Sequence, residues 1–390
     1  MNQVQAARIA SVRATPVSVP TRRACAWSLG VGFGFTRTIL ELVTDDGLVG
    51  LGECEGSAAS RLLNGSLGRK LPGLAVHDVA QVARWCRIQF RDYGSLADPV
   101  TVLAFAAIEM ALLDLLGKTT GQPVSHLLGG PVRPRAEFGA YGYTLHLETS
   151  GLCENEVPAA LAQFARESVA RTGAAVFEFK VGRYSIPTDI ETVRAVRHSL
   201  DDGIVLGIDA NQSLDLDRAR QLLRGIHDVR LDWFEEPVAS LGDMARLHRE
   251  FGVPISTHCM EPDTLKFYPE VEGTVGDLHL QGGLRGAMHA AAGYRALGRQ
   301  FWQRSSLELG ISWAAMVHFG ISCPDVSRPS QALIDYVEDD LTTGPSWLVT
   351  EGGVVPPNRP GLGVELDREA VGRYAELYQA RGELTYFDQD

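Results

Sequence analysis

Three short apolar runs carry the fold information: VFEFKVG at residues 176–182, GIDANQ at 207–212 and WFEEP at 233–237. Side chains alternate along a strand, so Glu178 and Lys180 share one face of the first run. Each run ends in an ionisable or polar residue and is followed by a stretch with helical spacing. Such repeats are typical of parallel strands connected by helices. The three runs therefore predict neighbouring strands whose polar ends meet at one edge of a sheet.

The same pattern continues on both sides of these runs. Predicted strand ends lie near Tyr143, Lys180, Asp209, Glu235, His258, Asp277, Arg304 and Asp335. From Lys180 onward, subtraction of the residue numbers gives intervals of 19 to 31 residues. Eight strands at this spacing, with helices between them, predict a (β/α)8-type barrel, in which catalytic groups lie at the carboxyl ends of the strands.

The first part of the chain has a different pattern. TRTILELV (36–43) and LVGLG (48–52) flank Asp45-Asp46-Gly47, which predicts a β-hairpin. The pattern is helical from about Val76 to Lys118, and its clearest piece, AFAAIEMALLDLLGK (104–118), is apolar nearly all round. We expect this helix to be buried and to end at Gly117.

The predicted domain organisation follows from where the pattern changes. GGPVRPR (129–135) is rich in turn residues and precedes the strand–helix repeats, whereas 368–381 reads as an amphipathic helix near the end. We expect an α+β domain over 1–130, joined by 345–390, and a barrel over 131–344.

Composition restricts the partners and the compartment. The net charge of −12 disfavours a nucleic-acid partner, although a metal ion can still make an acidic protein bind an anionic substrate. Six scattered cysteines without a CxxC pair predict reduced thiols. The first 13 residues do not resemble a signal peptide, and no run of about 18 apolar residues suggests a membrane span. The expectation is a soluble cytoplasmic protein.

The polar strand ends predict metal chemistry. Asp209 and Glu235 on adjacent strands would form an oxygen-rich site suited to Mg²⁺. Lys180, on the preceding strand, could act as a base if a nearby metal lowers its pKa. Each residue also has a structural interpretation: Lys180 in a surface ion pair, Asp209 as a helix cap and Glu235 paired with an arginine. The arrangement of all three favours the metal site.

The order of these motifs resembles a known family. KVG in FEFKVGR, then GIDANQ, WFEEP and GDLHLQGGLRG (276–286) look like the mandelate racemase and muconate lactonising branch of the enolase superfamily. The resemblance extends to TDDGLVGLGE (44–53), AIEMALLDLLGKTTGQPVSHLLGG (107–130) and PGLGVELD (360–367). FTRTILEL, AYGYTLH and PISTH are most similar to glucarate dehydratase and related acid-sugar dehydratases.

The resemblance implies a (β/α)7β TIM-like barrel with an N-terminal α+β capping domain completed by the C-terminal tail. It also implies Mg²⁺ bound by Asp209, Glu235 and a residue after the next strand, with Lys180 removing the proton α to a substrate carboxylate. The implied activity is that of a carbon–oxygen lyase, which dehydrates a hexarate or aldonate-like sugar acid. A racemase, epimerase or cycloisomerase is the alternative, as is a catalytically impaired paralogue that binds sugar acids. A homo-oligomer is expected.

Two departures from the family pattern affect the base and the metal. Glu178 stands where the family usually has the first lysine of Lys-x-Lys, and a carboxylate beside Lys180 would favour its ammonium form. The third ligand is either His258 or Glu261. An imidazole ligand would favour Mn²⁺, Fe²⁺ or Zn²⁺ over Mg²⁺.

The third departure lies on the seventh strand, which has no histidine for a His-Asp dyad. Arg304 or Ser306 takes the matching place, and arginine remains protonated. Asp277 would then pair with Arg304, either as an anchor for a substrate carboxylate or as a structural ion pair. Glu308 either supplies a proton to a leaving group or is solvated.

Other residues are assigned to the substrate side by position and by the resemblance, which matches Tyr143 to a substrate-contacting tyrosine; a core tyrosine is the alternative there. The glycine-rich segment SLGVGFGF (28–35) is predicted to be a mobile loop, and the resemblance implies that it closes over the site. It does not have the context of a phosphate-binding loop. The residues expected to contact substrate are Tyr143, Glu178, Asn211, Glu308, Asp335 and Thr36, with Arg22, Arg23 and His146 as further candidates.

Overall fold

The computed structural model describes residues 7–86, 98–343 and 347–385. The strands are β1 (Ile9–Trp27), β2 (Gly30–Thr44), β3 (Val49–Glu55), β4 (Ala136–Gly142), β5 (Val176–Lys180), β6 (Val205–Asp209), β7 (Trp233–Glu235), β8 (Ile255–Thr257), β9 (Val271–Gly276), β10 (Gln300–Gln303), β11 (Ser330–Ala332), β12 (Thr342–Thr343), β13 (Gly353–Val354) and β14 (Glu365–Leu366). The helices are α1 (Ala58–Asn64), α2 (Val79–Trp85), α3 (Pro99–Thr120), α4 (Val124–Leu127), α5 (Leu147–Ser150), α6 (Val157–Thr172), α7 (Ile186–Ser199), α8 (Leu216–Gly225), α9 (Leu241–Phe251), α10 (Pro262–Leu265), α11 (Gly283–Ala296), α12 (Gly310–Ser322) and α13 (Arg368–Arg381).

The eight parallel strands β4 to β11 form a nearly closed barrel. Their order in the sheet is β10-β9-β8-β7-β6-β5-β4-β11. No β-ladder joins β10 to β11 within the described residues. At this seam the main-chain N–H of Phe301 donates to Ser327 Oγ at 2.9 Å, and that of Gln303 donates to Ser330 Oγ at 3.2 Å. The predicted (β/α)7β barrel is confirmed, because a short 3₁₀ turn, Ile334–Tyr336, follows the eighth strand.

The register of the barrel brings the predicted strand ends to one level. Lys180 lies opposite Asp209, and Asp209 lies opposite Glu235, in the parallel ladders of β5, β6 and β7. These three residues are the last of their strands, and Tyr143, His258, Asp277 and Arg304 each follow a strand by one residue. The end predicted at Asp335 is wrong, because β11 stops at Ala332 and the chain then turns.

The N-terminal sheet has the order β1-β2-β3 and is antiparallel. The predicted hairpin at residues 45–47 joins β2 to β3, and Gly47 adopts φ 88° in its turn. Helix α3 packs on β3 so closely that a Cβ at Gly52 would lie 2.0 Å from the carbonyl oxygen of Ala107. Glycine is therefore required at that crossing.

Helix α3 is longer than the sequence predicted. Gly117 lies inside the helix, and glycine is required there because a Cβ would come within 2.6 Å of the Gly361 backbone. The helix ends instead at Gly121, with φ 69°. Its length and composition would suffice to cross a membrane, but 72% of its most apolar window is buried inside the protein, as is usual for a core helix. The part of the predicted helical region at 87–97 lies outside the described residues.

The C-terminal tail returns to the N-terminal sheet, as predicted. Ser18 Oγ donates to the carbonyl oxygen of Gly382 at 3.0 Å, and the N–H of Leu384 donates to Thr36 Oγ1 at 2.8 Å. Arg368 of α13 forms an ion pair with Glu41 at 2.8 Å. The tail thus completes the capping domain. The exact boundaries at 130 and 344 stay predictions, and residue 344 lies outside the described residues.

Two buried carboxylates of the capping domain accept hydrogen bonds from N–H groups at the starts of barrel helices. Glu109 of α3 accepts a hydrogen bond from the N–H of Leu284 at 2.7 Å, at the start of α11. Glu53 of β3 accepts one from the N–H of Ser312 at 2.9 Å, in the first turn of α12. Burial raises the pKa of each glutamate to about 7. Each bond satisfies a helix N–H that has no partner within its helix.

These raised pKa values predict that stability falls as pH rises. The folded state favours the neutral carboxyl group. Its contribution to the free energy of unfolding is therefore complete below about pH 4.5 and is lost as the pH rises through about 7. We expect Glu109→Gln to reduce the loss of unfolding free energy between pH 5 and 8 by about 2 kcal/mol. Urea unfolding at both pH values measures this difference. An equal loss in the wild type and the variant would contradict it.

Candidate active site

A cavity of about 70 Å³ lies at the carboxyl ends of the barrel strands. Most of its lining comes from the barrel, and Trp27 comes from the capping domain. The lining residues are Trp27, Tyr141, Tyr143, Lys180, Asn211, Glu235, His258, Arg304, Ser305, Ser306, Gln331 and Leu333. Six of the predicted residues, on six different barrel strands or the loops after them, are thus brought to one place: Tyr143, Lys180, Asn211, Glu235, His258 and Arg304.

Asp209 is the centre of the first polar cluster. Its Oδ2 forms a short ion pair with Lys180 Nζ and accepts a hydrogen bond from Tyr141 OH at 3.0 Å. The N–H of Asn211 donates to Oδ1 at 2.8 Å. Burial alone would raise the pKa of Asp209, but the Lys180 ammonium lowers it below its usual value. Asp209 is therefore a fixed negative charge at the base of the cavity.

Asp209, Glu235 and His258 fit a divalent metal ion. One ligand atom from each lies within 4.8 Å of the other two, and His258 Nε2 is 2.9 Å from Glu235 Oε1. Burial and the nearby Asp209 charge raise the pKa of Glu235 well above its usual value, so a cation there would relieve this unfavourable environment. Beside this cluster lies Asn211 Oδ1, a buried oxygen that has no hydrogen-bond partner within the described residues.

The structure distinguishes between the two candidates for the third ligand. His258 is in the cluster, whereas the side chain of Glu261 is exposed at the start of α10 and does not line the cavity. The donors that this cluster offers are two carboxylates and an imidazole, a set that would suit Mn²⁺, Fe²⁺ or Zn²⁺ better than three oxygens would.

Glu178 does not line the cavity but lies inside the barrel. It accepts hydrogen bonds from Trp233 Nε1 at 2.8 Å and Gln331 Nε2 at 2.9 Å. Burial, together with the charges of Glu235 and Asp209, raises the pKa of Glu178 well above its usual value. A neutral Glu178 would not favour the ammonium form of Lys180, which was the effect expected from the sequence. The carboxylate that pairs with Lys180 is Asp209.

Across the mouth from Lys180, Arg304 forms ion pairs with a carboxylate from each domain. Its Nε lies 2.8 Å from Asp277 Oδ2, and its Nη2 lies 3.2 Å from Oε1 of Glu55 in the capping domain. Burial opposes the charge of Glu55, yet Arg304 helps to hold its pKa well below the usual value. His279 Nδ1 also approaches Glu55, at 3.8 Å. The predicted pair of Asp277 and Arg304 is thus part of a network between the domains.

Sequence comparison assigns the whole arrangement to a family. Residues 160–370 match the model of the enolase C-terminal domain-like family. Residues 11–129 match the N-terminal domain of mandelate racemase and muconate lactonizing enzyme. The chain belongs to the mandelate racemase/muconate lactonizing enzyme family of the enolase superfamily.

Relatives in this enolase superfamily have more than one activity. A probable glucarate dehydratase of Streptomyces coelicolor is 30% identical over 365 residues, covering 86% of this chain and 83% of the relative. Muconate cycloisomerase 1-1 of Acinetobacter lwoffii is 26% identical, covering 92% and 94%. An enolase structure from Thermobispora bispora, complexed with magnesium and formate, has a TM-score of 0.87 at 27% identity and covers 97% of this chain and 95% of that one. The chain is an enolase-superfamily enzyme, and its Asp209, Glu235 and His258 have the spacing of ligands to a divalent metal ion.

Glu308 lies next to the cavity of this superfamily member, but it is buried rather than solvated. Its carboxylate accepts hydrogen bonds from Ser305 Oγ at 2.5 Å and the N–H of Ser306 at 2.6 Å. It thereby shapes the loop after β10, in which Leu307 adopts φ 66°. Glu308 holds two cavity-lining serines in place.

Several predicted substrate contacts lie elsewhere. Asp335 pairs with Arg171 of α6 at 2.9 Å, and Thr36 binds the C-terminal tail, so neither lines the cavity. Arg22 donates to the carbonyl oxygen of Glu338 at 3.4 Å, and Arg23 lies over the Phe164 ring at 5.1 Å. The positions of these four residues in the sequence did not indicate that they would form these contacts away from the cavity.

The prediction of a loop over residues 28–35 is wrong for most of that segment, because residues 30–35 belong to strand β2 and the rest is the tip of the β1–β2 hairpin. Its turn spans Ser28 and Leu29, and Ser28 Oγ donates to the carbonyl oxygen of Ala210 at 3.0 Å. The tip therefore lies over the barrel mouth, as the resemblance implied. Its mobility stays a prediction.

Sequence analysis missed five lining residues, Trp27, Tyr141, Ser305, Gln331 and Leu333. Tyr141 is two residues before Tyr143, so strand alternation could have placed it on the same face. Gln331 Nε2 donates to both Glu178 and Glu235, a contact that depends on closure of the barrel. Trp27 comes from the other domain, and no local pattern places it at the mouth.

Glu236 connects the ends of three barrel strands next to the metal cluster. It accepts hydrogen bonds from Gln212 Nε2 and Thr257 Oγ1, both at 2.7 Å. Its own φ is 43°, and Asn211 and Gln212 have φ 47° and 62°. Non-glycine residues in this left-handed region are strained, and such strain concentrates at functional sites.

Proposed function

We propose that this enzyme dehydrates a sugar acid, hexarate or aldonate-like, with the help of a divalent metal ion. The observation that carries the proposal is the convergence of Lys180, Asp209 and Glu235 at the ends of three consecutive strands. The similarity to a probable glucarate dehydratase supports this reaction class. The substrate is a small carboxylate in this proposal.

Asp209, Glu235 and His258 would hold the metal ion. When bound, the ion would supply positive charge that stabilises the enediolate formed next to the substrate carboxylate. Mg²⁺ is the expected ion, and the imidazole of His258 would also accept Mn²⁺. The magnesium in the Thermobispora bispora structure supports this assignment.

Lys180 acts as the base in the proposed reaction. Its amine takes the α-proton and becomes an ammonium group, and the electron pair of the C–H bond moves into the carboxylate to form the enediolate. When the enediolate collapses, that pair forms the Cα–Cβ double bond, and the β-hydroxyl group leaves with the electrons of its C–O bond and takes a proton from solvent to become water. The enol product then tautomerises to a 2-keto acid, with water as the second product. General-base catalysis of this kind contributes about 10²–10⁴-fold to a rate.

The opposite side of the mouth favours elimination over racemisation. Racemisation needs a proton donor or acceptor on each face of the substrate. Arg304 lies across from Lys180, and its guanidinium stays protonated. Its positive charge, held by Asp277 and Glu55, suits a carboxylate or hydroxyl group of the substrate.

A cycloisomerase is the second candidate, because muconate cycloisomerases are similar to this chain over nearly its whole length. A cycloisomerase closes or opens a ring within one molecule and releases no water. The two reactions therefore differ in their products.

A screen with Mg²⁺ and Mn²⁺ in D₂O tests the proposal. We expect a 2-keto product from a sugar acid, and solvent deuterium at Cα of one C2 epimer only. A lactone from an unsaturated diacid would favour the cycloisomerase, and interconversion of C2 epimers would favour a racemase. Binding of sugar acids without exchange or product would indicate a catalytically impaired paralogue.

A further inference from the structure

We propose that His279 holds a proton between the two domains and thereby positions Arg304 for a substrate carboxylate. His279 lies in the loop after β9, two residues beyond Asp277, and does not line the cavity. The inference rests on the function proposed above, because it treats Arg304 as the group that faces the acid. His279 would act through Glu55 of the capping domain, so it is a positioning residue rather than a catalytic one.

The surroundings of the His279 ring favour its charged form. The ring is buried, and Nδ1 lies 3.8 Å from Glu55 Oε1 and 3.9 Å from Asp277 Oδ1. On the other side, Nε2 lies 2.8 Å from Ser312 Oγ. Each ring nitrogen thus faces an oxygen that can accept a hydrogen bond, and only imidazolium has a proton on both nitrogens. Burial alone would lower the pKa of His279, but Glu55 and Asp277 raise it above its usual value.

Charged groups from both domains face the His279 ring. Arg37 opposes a positive charge there, whereas Glu53, whose own pKa is raised to about 7 by burial, supports one when it is ionised. The charged and titratable groups of this cluster, besides His279, are Arg37, Glu53, Glu55, Asp277 and Arg304. When all three carboxylates are ionised, the cluster is neutral only if His279 carries a proton.

A proton suits this position better than a metal ion does. Glu55, Asp277 and His279 offer ligand atoms that lie within 4.8 Å of one another. However, Asp277 Oδ1 already accepts hydrogen bonds from the N–H groups of His279 at 2.7 Å and Leu280 at 2.8 Å. Its Oδ2 pairs with Arg304 at 2.8 Å. A divalent ion would therefore have to compete with these bonds beside a guanidinium that repels it.

The effect of His279 reaches the cavity through Glu55. Arg304 Nη2, at 3.2 Å, and His279 Nδ1 approach the same atom, Glu55 Oε1. A proton on His279 offsets the negative charge of Glu55, so more of the positive charge of Arg304 is available to an anion in the cavity. Because the pKa of His279 is raised, this contribution is present at low pH and is lost as the pH rises through that pKa. We therefore expect substrate acids to bind more weakly at high pH.

An NMR titration of the Mg²⁺-loaded protein with isotope-labelled histidine tests whether His279 carries the proton. The ring signal of His279 is the one that disappears in His279→Asn. We expect its pKa to be above the usual value of about 6.5 and to be lower in Glu55→Gln. His318 is the internal reference, because it is also buried and burial lowers its pKa to about 4. A pKa of His279 below about 6.5 would overturn the inference.

Calorimetric titration with glucarate at saturating Mg²⁺ tests the positioning role. We expect wild-type affinity to fall by at least about threefold between about pH 6 and 9, a range in which glucarate remains a dianion. His279→Asn keeps a neutral donor near Glu55 and should have the weaker affinity at every pH. Ser312→Ala removes the acceptor of Nε2 and should move the midpoint of the fall to lower pH. His318→Gln, the matched control at a second buried histidine, should behave like wild type.

The outcomes distinguish this inference from the dehydration proposal. A fall in affinity that persists in folded His279→Asn would assign the effect to Glu53, and a second Mn²⁺ ion lost in that variant would assign the cluster to a metal. Either result overturns the inference, as does an affinity that does not change with pH, even if glucarate is dehydrated. A fall that depends on His279 without a 2-keto product supports the inference and contradicts dehydration. If wild type does not bind glucarate at any pH, both fail. Thermal unfolding midpoints check that the variants are folded.

Discussion

Lys180→Ala is expected to abolish turnover, with a loss of at least about 10²–10⁴-fold in kcat. The amine is the group that takes the α-proton in the proposed reaction, and Arg304 across the mouth cannot replace it because guanidinium remains protonated. The variant should also lose α-proton exchange with D₂O, measured by NMR on any acid that wild type binds. Loss of both signals places the defect in proton abstraction rather than in departure of the leaving group.

Metal affinity is the internal control for this variant. Lys180 pairs with Asp209 but is not among the three clustered ligands, so Lys180→Ala should bind Mn²⁺ at least as tightly as wild type. Removing an ammonium beside the site reduces repulsion of the cation. Exchange that continues at the wild-type rate in Lys180→Ala would exclude it as the base.

Glu235→Gln is expected to have the second large effect, the loss of divalent metal binding. The substitution keeps the shape of the side chain but replaces a charged ligand with a neutral amide, and only the charged form attracts the cation strongly. We expect Mg²⁺ and Mn²⁺ affinity to fall by at least about 100-fold, since even residues behind the ligands contribute 10–100-fold. Calorimetry or the metal-dependent rise in thermal midpoint measures the change.

Glu261→Gln provides the comparison for Glu235→Gln. Its carboxylate was a candidate ligand by sequence, yet it is exposed and outside the cluster. Metal affinity in Glu261→Gln should therefore equal that of wild type. If Glu261→Gln lost more metal affinity than Glu235→Gln, the ligand that follows the fifth barrel strand would be Glu261 and not His258.

The barrel could be predicted from the sequence because its strand ends are local signals. Lys180, Asp209 and Glu235 each end a short apolar run, and the parallel register places consecutive strand ends side by side. Each prediction needed only the local pattern and the topology. The same reasoning failed at Asp335, where the apolar run extends three residues beyond the end of β11 into a 3₁₀ turn.

The contacts between domains could not be predicted in this way. Glu55 and Trp27 reach the barrel mouth from the capping domain, and their barrel neighbours are more than a hundred residues away in sequence. The burial that keeps Glu178 in the barrel interior is also a tertiary effect, because its partners Trp233 and Gln331 come from other strands. Spacing along a chain does not encode such partners.

The return of the tail to the first sheet affects how the protein is made. Ser18 and Gly382 are 364 positions apart, yet they are hydrogen-bonded neighbours. During translation at about 5–20 residues per second, the first sheet leaves the ribosome long before its covering helix α13 exists. One face of β1 must therefore remain without its native cover until synthesis is nearly finished. Chaperone binding to nascent chains should be strongest over this interval.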